Sequence, residues 1–279
     1  MKTVEGRTVL VTGAAMGMGR LHAERAVAEK AANVVLWDVD GPRLARTREE
    51  LAAAGGPSRI HAHTVDLASP ADIRTTASRV RAEAGGPDIV INNAGIVRSG
   101  WFWEQAPAEV DASLRVNALG PMHVALEFLP GMIERGTPAR LLNVTSASGL
   151  LPVPRMAAYT ASKWAATGWS DTLRLELERA GHHHVRVTTL MPGYIDTGMF
   201  AGARAPLLTP LLEPEYVVER AWRAMKRGRP MLMLPWTVRL SMLLRGVLPR
   251  RAWDALAWGP LGVYGSMERF TGRAGPEAR

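Results

Sequence analysis

Short apolar runs alternate with amphipathic segments along the first two hundred residues of the chain. The apolar runs predict strands at residues 8–11, 33–37, 60–65, 88–92, 140–145 and 185–190. The segments between them have apolar residues at helical spacing and predict helices at residues 20–30, 44–54, 70–84, 107–116, 122–135 and 157–180. Continuous apolar strands that alternate with helices are typical of a parallel sheet covered on both faces. We therefore predict an α/β fold with a doubly wound, Rossmann-type parallel sheet in three α/β/α layers.

The pattern becomes irregular after the last predicted strand. Residues 199–208 are interrupted by glycine, alanine and proline, and further amphipathic helices are predicted at residues 213–227 and 238–247. We expect residues 1–279 to form one catalytic domain, of which residues 230–279 are a hydrophobic and basic extension. The N-terminus lacks a signal-peptide h-region, and no stretch reaches the roughly 18 uninterrupted apolar residues of a membrane span. These features favour a cytoplasmic protein.

Positive charge is concentrated near the C-terminus. The formal net charge is +8, and residues 220–279 carry 12 Lys or Arg against three Asp or Glu. Because Trp, Leu and Met are interleaved with these cations, we favour helices in residues 230–270 that make peripheral membrane contact, and we expect no nucleic-acid partner. We also expect a homodimer or homotetramer. A solvated helical face and a contact between subunits are the alternative roles of this segment.

The sequence offers little for metal binding. It contains no cysteine, which excludes disulfides, thiol nucleophiles and cysteine-based metal sites. Three consecutive histidines at residues 182–184 are interpreted as a surface turn between a helix and a strand. We therefore expect no metal site.

A cluster of glycines follows the first predicted strand. Gly13, Gly17 and Gly19 lie where this strand gives way to the first helix. Glycines at such a turn let the backbone approach a pyrophosphate, whose charge is stabilised by the N-terminus of the helix. The sequence therefore predicts a dinucleotide-binding turn, and tight-turn glycines without a ligand are the alternative.

An acidic residue, Asp38, ends the second predicted strand 19 residues beyond Gly19. A carboxylate there accepts hydrogen bonds from the adenine ribose hydroxyls and repels a 2′-phosphate. The glycine turn contains no Lys or Arg, and Arg20 and Arg43 are the nearest cations. We therefore predict NAD as the cofactor in preference to NADP. The alternative is that Asp38 only initiates a loop.

Tyr159 and Lys163 lie four residues apart at the start of a predicted helix, which puts both side chains on one face. A free phenol titrates near about pH 10, and an ammonium group a few ångströms away stabilises the phenolate and lowers the pKa of the phenol. Ser146 ends a strand 13 residues upstream, where its hydroxyl can bind a substrate oxygen or cap a turn. Together these residues predict proton transfer to or from a substrate oxygen.

These motifs together resemble those of the short-chain dehydrogenase/reductase family over roughly residues 5–200. They occur in the family's order: Thr12-Gly13-x-x-x-Gly17-x-Gly19, Asp66, Asn92-Asn93-Ala94-Gly95, Asn117, Ser146, Tyr159-x-x-x-Lys163 and Pro192-Gly193-x-Ile195-x-Thr197. Met16 and Met18 depart from the small, basic or aliphatic residues that are common in the family's glycine turn. The resemblance implies a nicotinamide-dependent oxidoreductase that interconverts an alcohol and a ketone.

The resemblance also implies a role for each motif residue. Tyr159 exchanges a proton with the substrate oxygen, Ser146 orients that oxygen, and Lys163 binds the nicotinamide ribose and lowers the pKa of the phenol. Asn117 kinks its helix and holds a water beside Lys163, which completes the catalytic set, and Asn92 shapes the floor of the cofactor groove. The implied cofactor-binding residues are Thr12, Gly13, Gly17, Met18, Gly19, Asp38, Asp66, Leu67, Asn93, Ala94, Gly95, Tyr159, Lys163, Pro192, Gly193, Ile195 and Thr197.

The C-terminal segment is similar to that of the branch of the family that acts on retinol and 17β-hydroxysteroids, which has a similar Leu-Pro break and closing Phe. This similarity implies a hydrophobic, steroid-, retinoid- or lipid-like alcohol or ketone, with residues 230–279 as a wall of the pocket. Two alternatives stay open: an NADP-dependent carbonyl reductase for a small polar substrate, and a non-catalytic NAD-sensing module. A sensor needs no proton donor, so the complete set of Ser146, Tyr159 and Lys163 favours an enzyme.

Overall fold

The computed structural model describes residues 1–207 and 209–272, and within them seven strands form one parallel sheet. The strands are β1 (Thr8–Thr12), β2 (Asn33–Asp38), β3 (Arg59–Thr64), β4 (Ile89–Asn92), β5 (Ala139–Val144), β6 (Val185–Pro192) and β7 (Met231–Leu234). The α-helices are α1 (Gly17–Ala28), α2 (Gly41–Ala53), α3 (Pro70–Ala84), α4 (Pro107–Leu114), α5 (Gly120–Glu134), α6 (Ala157–Arg179), α7 (Pro214–Arg227), α8 (Trp236–Val247) and α9 (Arg250–Trp258). The strand order is β3-β2-β1-β4-β5-β6-β7, with every neighbouring pair parallel. The predicted doubly wound α/β fold is confirmed.

Apolar side chains on both faces of the sheet are buried against helices. In β1, Val9 and Val11 belong to a cluster that includes residues of α1, α2 and α7. Leu10 belongs to a second cluster, which includes residues of α3, α5 and α6. Because alternate side chains of a strand point to opposite faces, a strand between two helix layers is apolar at every position. This arrangement explains the continuous apolar runs in the sequence.

The strand order reverses around β1, which pairs with β2 on one side and with β4 on the other. In open parallel sheets, ligands bind at the carboxyl ends of the strands beside such a switch point. The glycine turn follows β1, and the segment Asn93 to Gly95 follows β4. The topology therefore brings these two predicted motifs to one crevice.

The structure shows that the prediction of helices throughout residues 230–270 is wrong at residues 231–234. These four residues form β7, an edge strand parallel to β6, and alternate residues of the strand are buried. Pro230 and Pro235 flank the run and prevent a helix from passing through it. Periodicity alone does not assign so short an apolar run, because it is compatible with either state.

A π-helical turn, Arg115–Leu119, joins α4 to α5 without a break. The sequence pattern instead predicts two separate helices, at residues 107–116 and 122–135. Pro121 has no N–H group to donate to the carbonyl oxygen of Asn117, so the α-helical pattern is interrupted at this point. Turns of this kind are frequent at functional sites.

The segment after β7 packs on the loop that follows β5. Its small buried cluster consists of Leu151, Trp253, Ala257, Val263 and Tyr264. Arg245 donates to the carbonyl oxygen of Leu150 at 2.6 Å, and its guanidinium lies 5.3 Å from the ring centroid of Trp164. Among the described residues, no helix combines the length and the apolar character needed to cross a membrane. Residues 273–279 of the predicted extension and Leu208 lie outside the described residues.

Candidate active site

A cleft of about 350 Å³ lies at the carboxyl edge of the sheet. The predicted site residues that line it are Gly13, Gly17, Met18, Asp38, Asp66, Leu67, Asn93, Ala94, Gly95, Ser146, Tyr159, Lys163, Pro192, Gly193, Ile195 and Thr197. Four other predicted residues, Thr12, Gly19, Asn92 and Asn117, are not part of this lining. They lie behind the wall and hold it in place.

Thr12 ties the end of β1 to the end of β4. Its buried hydroxyl accepts hydrogen bonds from the backbone N–H groups of Asn93 and Ala94, at 3.0 and 3.1 Å. The side-chain amide of Asn93 donates in return to the carbonyl oxygen of Thr12 at 3.0 Å. Thr12 therefore shapes the cleft from beneath and does not face a ligand.

At two positions of the glycine turn after β1 there is no room for any side chain. Gly13 has φ of +66°, and a Cβ atom built on it would lie 2.8 Å from the Cα of Ala94. A Cβ atom on Gly19 would overlap the carbonyl group of Gly13, so only glycine lets α1 begin this close to β1. The N-terminus of α1 therefore faces the cleft, where its N–H groups favour an anionic group such as a pyrophosphate.

Asp38 is held in the wall of the cleft by two backbone donors. Its Oδ2 accepts from the N–H of Ala15 at 2.9 Å, and its Oδ1 accepts from the N–H of Asp40 at 3.0 Å. Each carboxylate oxygen has a further lone pair that can accept from a ligand hydroxyl. The side chain is therefore positioned to meet a hydroxyl-bearing group, such as a ribose.

The lining fits a nicotinamide dinucleotide along its length. The glycine turn suits the pyrophosphate, and Asp38 suits the adenine ribose. At the other end, a Cβ atom on Gly95 would lie 3.1 Å from Oδ1 of Asn117 and 3.4 Å from Nζ of Lys163. The missing side chain at Gly95 keeps the lysine open to the cleft, where its ammonium can meet ribose hydroxyls.

Ser146 and Tyr159 meet at the inner end of the cleft. Ser146 follows β5 and caps a short 3₁₀ turn, in which its Oγ accepts from the N–H of Ser148 at 3.1 Å. The Ser146 hydroxyl also hydrogen-bonds to the phenol of Tyr159, which reaches it from the first turn of α6. Only 4% of Tyr159 and 7% of Ser146 are exposed. The two hydroxyls therefore form one sheltered polar spot, suited to a single substrate oxygen.

Burial changes the proton affinities of Tyr159 and Lys163 in opposite directions. It raises the pKa of the Tyr159 phenol to about 12, although the hydrogen bond with Ser146 acts in the other direction. It lowers the pKa of the Lys163 amine to about 8. The pKa of Tyr159 thus moves opposite to the direction that the sequence pattern predicts, because the cost of burying a phenolate outweighs the nearby ammonium. At neutral pH the phenol is protonated and most of the lysine is charged.

Asn117 lies in the π-helical turn and connects three segments beneath the site. Its Oδ1 accepts from the N–H of Ile96, and its Nδ2 donates to the carbonyl oxygen of Ile96, both at 2.9 Å. The same Nδ2 donates to Oγ of Ser162 at 3.1 Å, and that hydroxyl donates to the carbonyl oxygen of Tyr159 at 2.6 Å. Asn117 therefore fixes the positions of the β4 loop and of the first turn of α6.

A buried polar chain runs under the site from Asn92, which was predicted to shape the floor of the groove, through three residues that were not predicted. Nδ2 of Asn92 donates to Oδ1 of Asn143 at 2.9 Å, and Nδ2 of Asn143 donates to Oγ of Ser170 at 2.8 Å. Ser170 and the hydroxyl of Thr189 are 2.7 Å apart. The chain crosses from β4 through β5 and α6 to β6. The available signal was a polar residue, Asn143, directly after the apolar residues Leu141 and Leu142.

Phe200 is a further part of the site that the sequence pattern did not identify. Its ring meets Tyr159 edge to face, with centroids 6.2 Å apart, and meets Tyr194 in the same way at 5.4 Å. Phe200 lines both the large cleft and a smaller adjoining cavity of about 50 Å³. The other residues of the smaller cavity are Ser146, Ala147, Ser148, Leu151, Val153, Gly193, Tyr194, Pro206, Thr209, Val238, Ser241 and Val263. This second cavity is mainly apolar and begins beside Ser146.

Known proteins share both the sequence and the fold of this chain. The profile of the short chain dehydrogenase family matches residues 7–207. Epidermal retinol dehydrogenase 2 of Mus musculus is 34% identical over 274 residues, which cover 98% of this chain and 87% of that protein. Estradiol 17-beta-dehydrogenase 11 of Homo sapiens is 33% identical over 250 residues, which cover 90% and 82% of the two chains.

Two solved structures extend the comparison to cofactor complexes. A short-chain dehydrogenase/reductase from Burkholderia phymatum in complex with NAD matches with a TM-score of 0.80 and 26% identity, covering 88% of this chain and 95% of that chain. A short-chain dehydrogenase from Sphingobium yanoikuyae in complex with NADPH matches with a TM-score of 0.73 and 28% identity, covering 92% and 94%. Proteins with this fold thus bind either form of the nicotinamide cofactor.

Proposed function

The chain belongs to the short-chain dehydrogenase/reductase family, in the branch that includes retinol and 17β-hydroxysteroid dehydrogenases, and from this membership we propose that it is an NAD-dependent dehydrogenase for hydrophobic alcohols and ketones. As a member it is an NAD(P)-dependent oxidoreductase that acts on CH–OH groups. The observation that carries the proposal is the buried set of Ser146, Tyr159 and Lys163 in the wall of the large cleft, where Ser146 also lines the apolar cavity.

The geometry supports a specific division of labour among these residues. A bound nicotinamide supplies the hydride for reduction of a ketone and accepts it in the reverse reaction. In reduction, the phenol of Tyr159 donates its proton to the substrate oxygen, and a pKa of about 12 keeps that proton in place until it is needed. The Ser146 hydroxyl donates a hydrogen bond to the same oxygen as negative charge develops on it. The ammonium of Lys163 lies 5.7 Å from the ring centroid of Tyr159 and stabilises the phenolate that remains.

NAD is the proposed cofactor because of the carboxylate of Asp38. Its two backbone hydrogen bonds aim it into the cleft, and a 2′-phosphate at the adenine ribose would meet its negative charge. The NADP alternative draws support from one observation, namely that Arg43 lies in the wall of the same cleft. A non-catalytic sensing role is set aside because the family is enzymatic.

A hydrophobic substrate is proposed because of the smaller cavity. Side chains such as Leu151, Val153 and Val263 dominate its surface, and a polar substrate would lose hydration there without compensation. Val238 and Ser241 bring the first turns of α8 into the wall, in agreement with the predicted role of the C-terminal segment. The relatives named for retinol and estradiol are consistent with a bulky lipophilic alcohol.

Peripheral membrane contact is proposed for the outer face of α8. Trp236, Leu240, Leu243 and Val247 are spaced at helical intervals, and between 37% and 74% of each residue is exposed. Exposed arginines at positions 239, 250 and 251 are close to this stripe in sequence. A basic amphipathic helix gains from burying its apolar face in the headgroup region and from attraction to anionic lipids.

A homodimer or homotetramer contact is proposed for a different surface. Leu126 of α5, together with Trp164 and Leu175 of α6, is exposed by 43% to 69%. Apolar residues exposed on adjacent helices are a common basis for a symmetric interface. Separation by size with light scattering tests this contact independently of lipid.

A substrate panel tests the proposed activity. Purified protein is assayed with steroid, retinoid, long-chain and small polar alcohols, and with the matching ketones, while absorbance of the reduced cofactor is followed. We expect kcat/KM to be highest for bulky lipophilic substrates with NAD(H). A preference for small polar carbonyl compounds with NADPH would contradict the proposal in favour of the carbonyl reductase alternative.

A further inference from the structure

Arg43 is a cation in the wall of the cleft, next to the residues that we assign to the adenine ribose. It lines the cleft together with Asp38, Val39 and Asp40. Its Nη1 lies 3.3 Å from Sδ of Met16, which belongs to the glycine turn. The guanidinium therefore lies between the end of β2 and the glycine turn. An arginine near the adenine ribose would accommodate a 2′-phosphate there.

Asp40 holds Arg43 by two separate contacts. Its Oδ1 accepts from the backbone N–H of Arg43 at 3.0 Å, which caps the N-terminus of α2. Its Oδ2 lies 3.6 Å from Nε of the same arginine. One carboxylate thus fixes both the backbone and the side chain of Arg43, and it partly neutralises the guanidinium. An arginine paired in this way is less available to a second anion.

The other candidate cation, Arg20, is engaged elsewhere. Its guanidinium lies 2.8 Å from carboxylate oxygens of both Glu24 and Glu50. Arg20 is not part of the cleft lining. Of these two arginines, Arg43 alone therefore lines the cleft.

We propose that the pair of Asp40 and Arg43 sets how strongly the protein discriminates between NAD(H) and NADP(H). Arg43 is the contact that accommodates a 2′-phosphate, and Asp40 restrains that contact by pairing with it. This inference rests on the proposed cofactor site and adds a second control to the repulsion from Asp38. Arginine forms strong, charge-assisted hydrogen bonds with phosphate, so loss of the competing carboxylate shifts affinity toward the phosphorylated cofactor.

The test measures dissociation constants for NAD and NADP in the wild type and three variants. Asp40→Asn retains an N-cap oxygen for α2 but removes the charge that restrains Arg43. Arg43→Ala removes the cation, and the double variant removes both. Arg20→Ala is the matched control, because it removes an arginine of the same region that does not face the cleft. Thermal unfolding of each variant checks that it is folded.

We expect Asp40→Asn to tighten NADP binding by about tenfold, the effect of one added charge-assisted contact, while NAD affinity changes less than about twofold. We expect Arg43→Ala to weaken NADP binding selectively and to abolish the gain from Asp40→Asn in the double variant. Arg20→Ala should leave both constants unchanged. Raised salt should reduce the gain in NADP affinity from Asp40→Asn. The Arg43 side chain is 41% exposed, and salt screens the interactions of exposed charges.

Three results would overturn the inference. Equal weakening of NAD and NADP in Arg43→Ala would mean that Arg43 supports the shared adenosine. No gain in Asp40→Asn, or a gain that persists without Arg43, would mean that Asp40 does not act through the arginine. By contrast, tighter binding of NADP than of NAD by the wild type would contradict the proposed cofactor preference, and selective loss of that binding in Arg43→Ala would still support the role of Arg43.

Discussion

Nζ of Lys163 lies 5.7 Å from the ring centroid of Tyr159, and each of the two residues is only 4% exposed. Burial disfavours charge on both, which raises the pKa of the phenol to about 12 and lowers the pKa of the amine to about 8. Between these two values both groups are neutral, and below the lower value the lysine is charged beside a protonated phenol. The state below about pH 8 is the one suited to ketone reduction.

This relationship predicts the pH dependence of reduction. Values of kcat/KM report the free enzyme, so they should fall as pH rises through about 8, when Lys163 loses its proton and its support for the developing phenolate. Lys163→Arg keeps a positive charge at all accessible pH values. The pH profile of this variant should show no fall in kcat/KM near pH 8, even if kcat/KM itself is lower than in the wild type. A flat wild-type profile from pH 7 to pH 9.5 would contradict the assignment.

A buried histidine predicts sensitivity to acid. His22 of α1 is fully buried and stacks on Trp222 at 6.0 Å, and neither ring nitrogen has a hydrogen-bond partner among the described residues. Burial lowers its pKa to about 3. In the unfolded chain this imidazole takes up a proton below about pH 6.5, whereas in the folded chain it stays neutral. The contribution of His22 to the free energy of unfolding is therefore fully present above pH 6.5 and is lost as pH falls toward the folded pKa.

The size of this loss follows from the two pKa values. The His22 contribution to the free energy of unfolding should fall by about 2 kcal/mol between pH 7 and pH 5. Chemical unfolding of His22→Leu should show a correspondingly smaller loss over the same interval. His183→Leu, which changes an exposed histidine, is the matched control. If the wild type and His22→Leu lose the same free energy of unfolding between pH 7 and pH 5, the ring of His22 is not held neutral.

Gly95 offers a test of the shape of the cleft. In Gly95→Ala, the new methyl group would press on Oδ1 of Asn117 and stand 3.4 Å from Nζ of Lys163. We expect kcat/KM to fall by about tenfold or more, in keeping with the sensitivity of catalysis to small displacements. Gly168→Ala in α6 is the control, since a Cβ there meets nothing within 4 Å. That variant should keep its activity and gain about 0.5–1 kcal/mol of stability. Full activity of Gly95→Ala would mean that the lysine does not need this space.

The outer face of α8 predicts reversible binding to anionic vesicles. The double variant Leu243→Ser/Val247→Ser should reduce the bound fraction several-fold in a flotation assay at low salt, because it removes apolar area from the stripe. Tyr216→Ser, which changes an exposed residue of α7 outside both proposed contacts, should leave binding unchanged. High salt should weaken wild-type binding. A wild-type protein that stays free of anionic vesicles at low salt would rule out this contact.

Local signals in the sequence were sufficient to predict much of the fold. The helix α3 begins and ends as predicted, since Ser69 caps its first turn, Pro70 occupies the first helical position, and Gly85 adopts a left-handed conformation at its end. In contrast, β7 depends on a partner that is distant in sequence, β6, and no periodicity in four residues reveals that pairing. Elements with their own start and stop signals are predictable, and elements defined by a neighbour are not.

The same distinction between local signals and contacts with distant segments applies to the active site. The glycine turn, Asp38 and the pair of Tyr159 and Lys163 could be found from residue type and spacing, because each spacing corresponds to a turn or to one helix face. The other motif residues followed from the resemblance to the family. Contacts between distant segments could not, such as Phe200 against Tyr159 or Arg43 against Met16 in the wall of the cleft. The direction in which the pKa of Tyr159 shifts could not be predicted either, because it depends on how deeply the fold buries the phenol.

The most direct test of the central claim, that Tyr159 transfers the proton to the substrate oxygen, compares catalysis with cofactor binding in Tyr159→Phe. This change removes only the hydroxyl from a buried ring. We expect kcat to fall by roughly 10²–10⁴, the usual contribution of a general acid, while the dissociation constant for NAD changes less than about twofold. A variant that retains more than about a tenth of the wild-type kcat would contradict the assignment of Tyr159 as the proton donor.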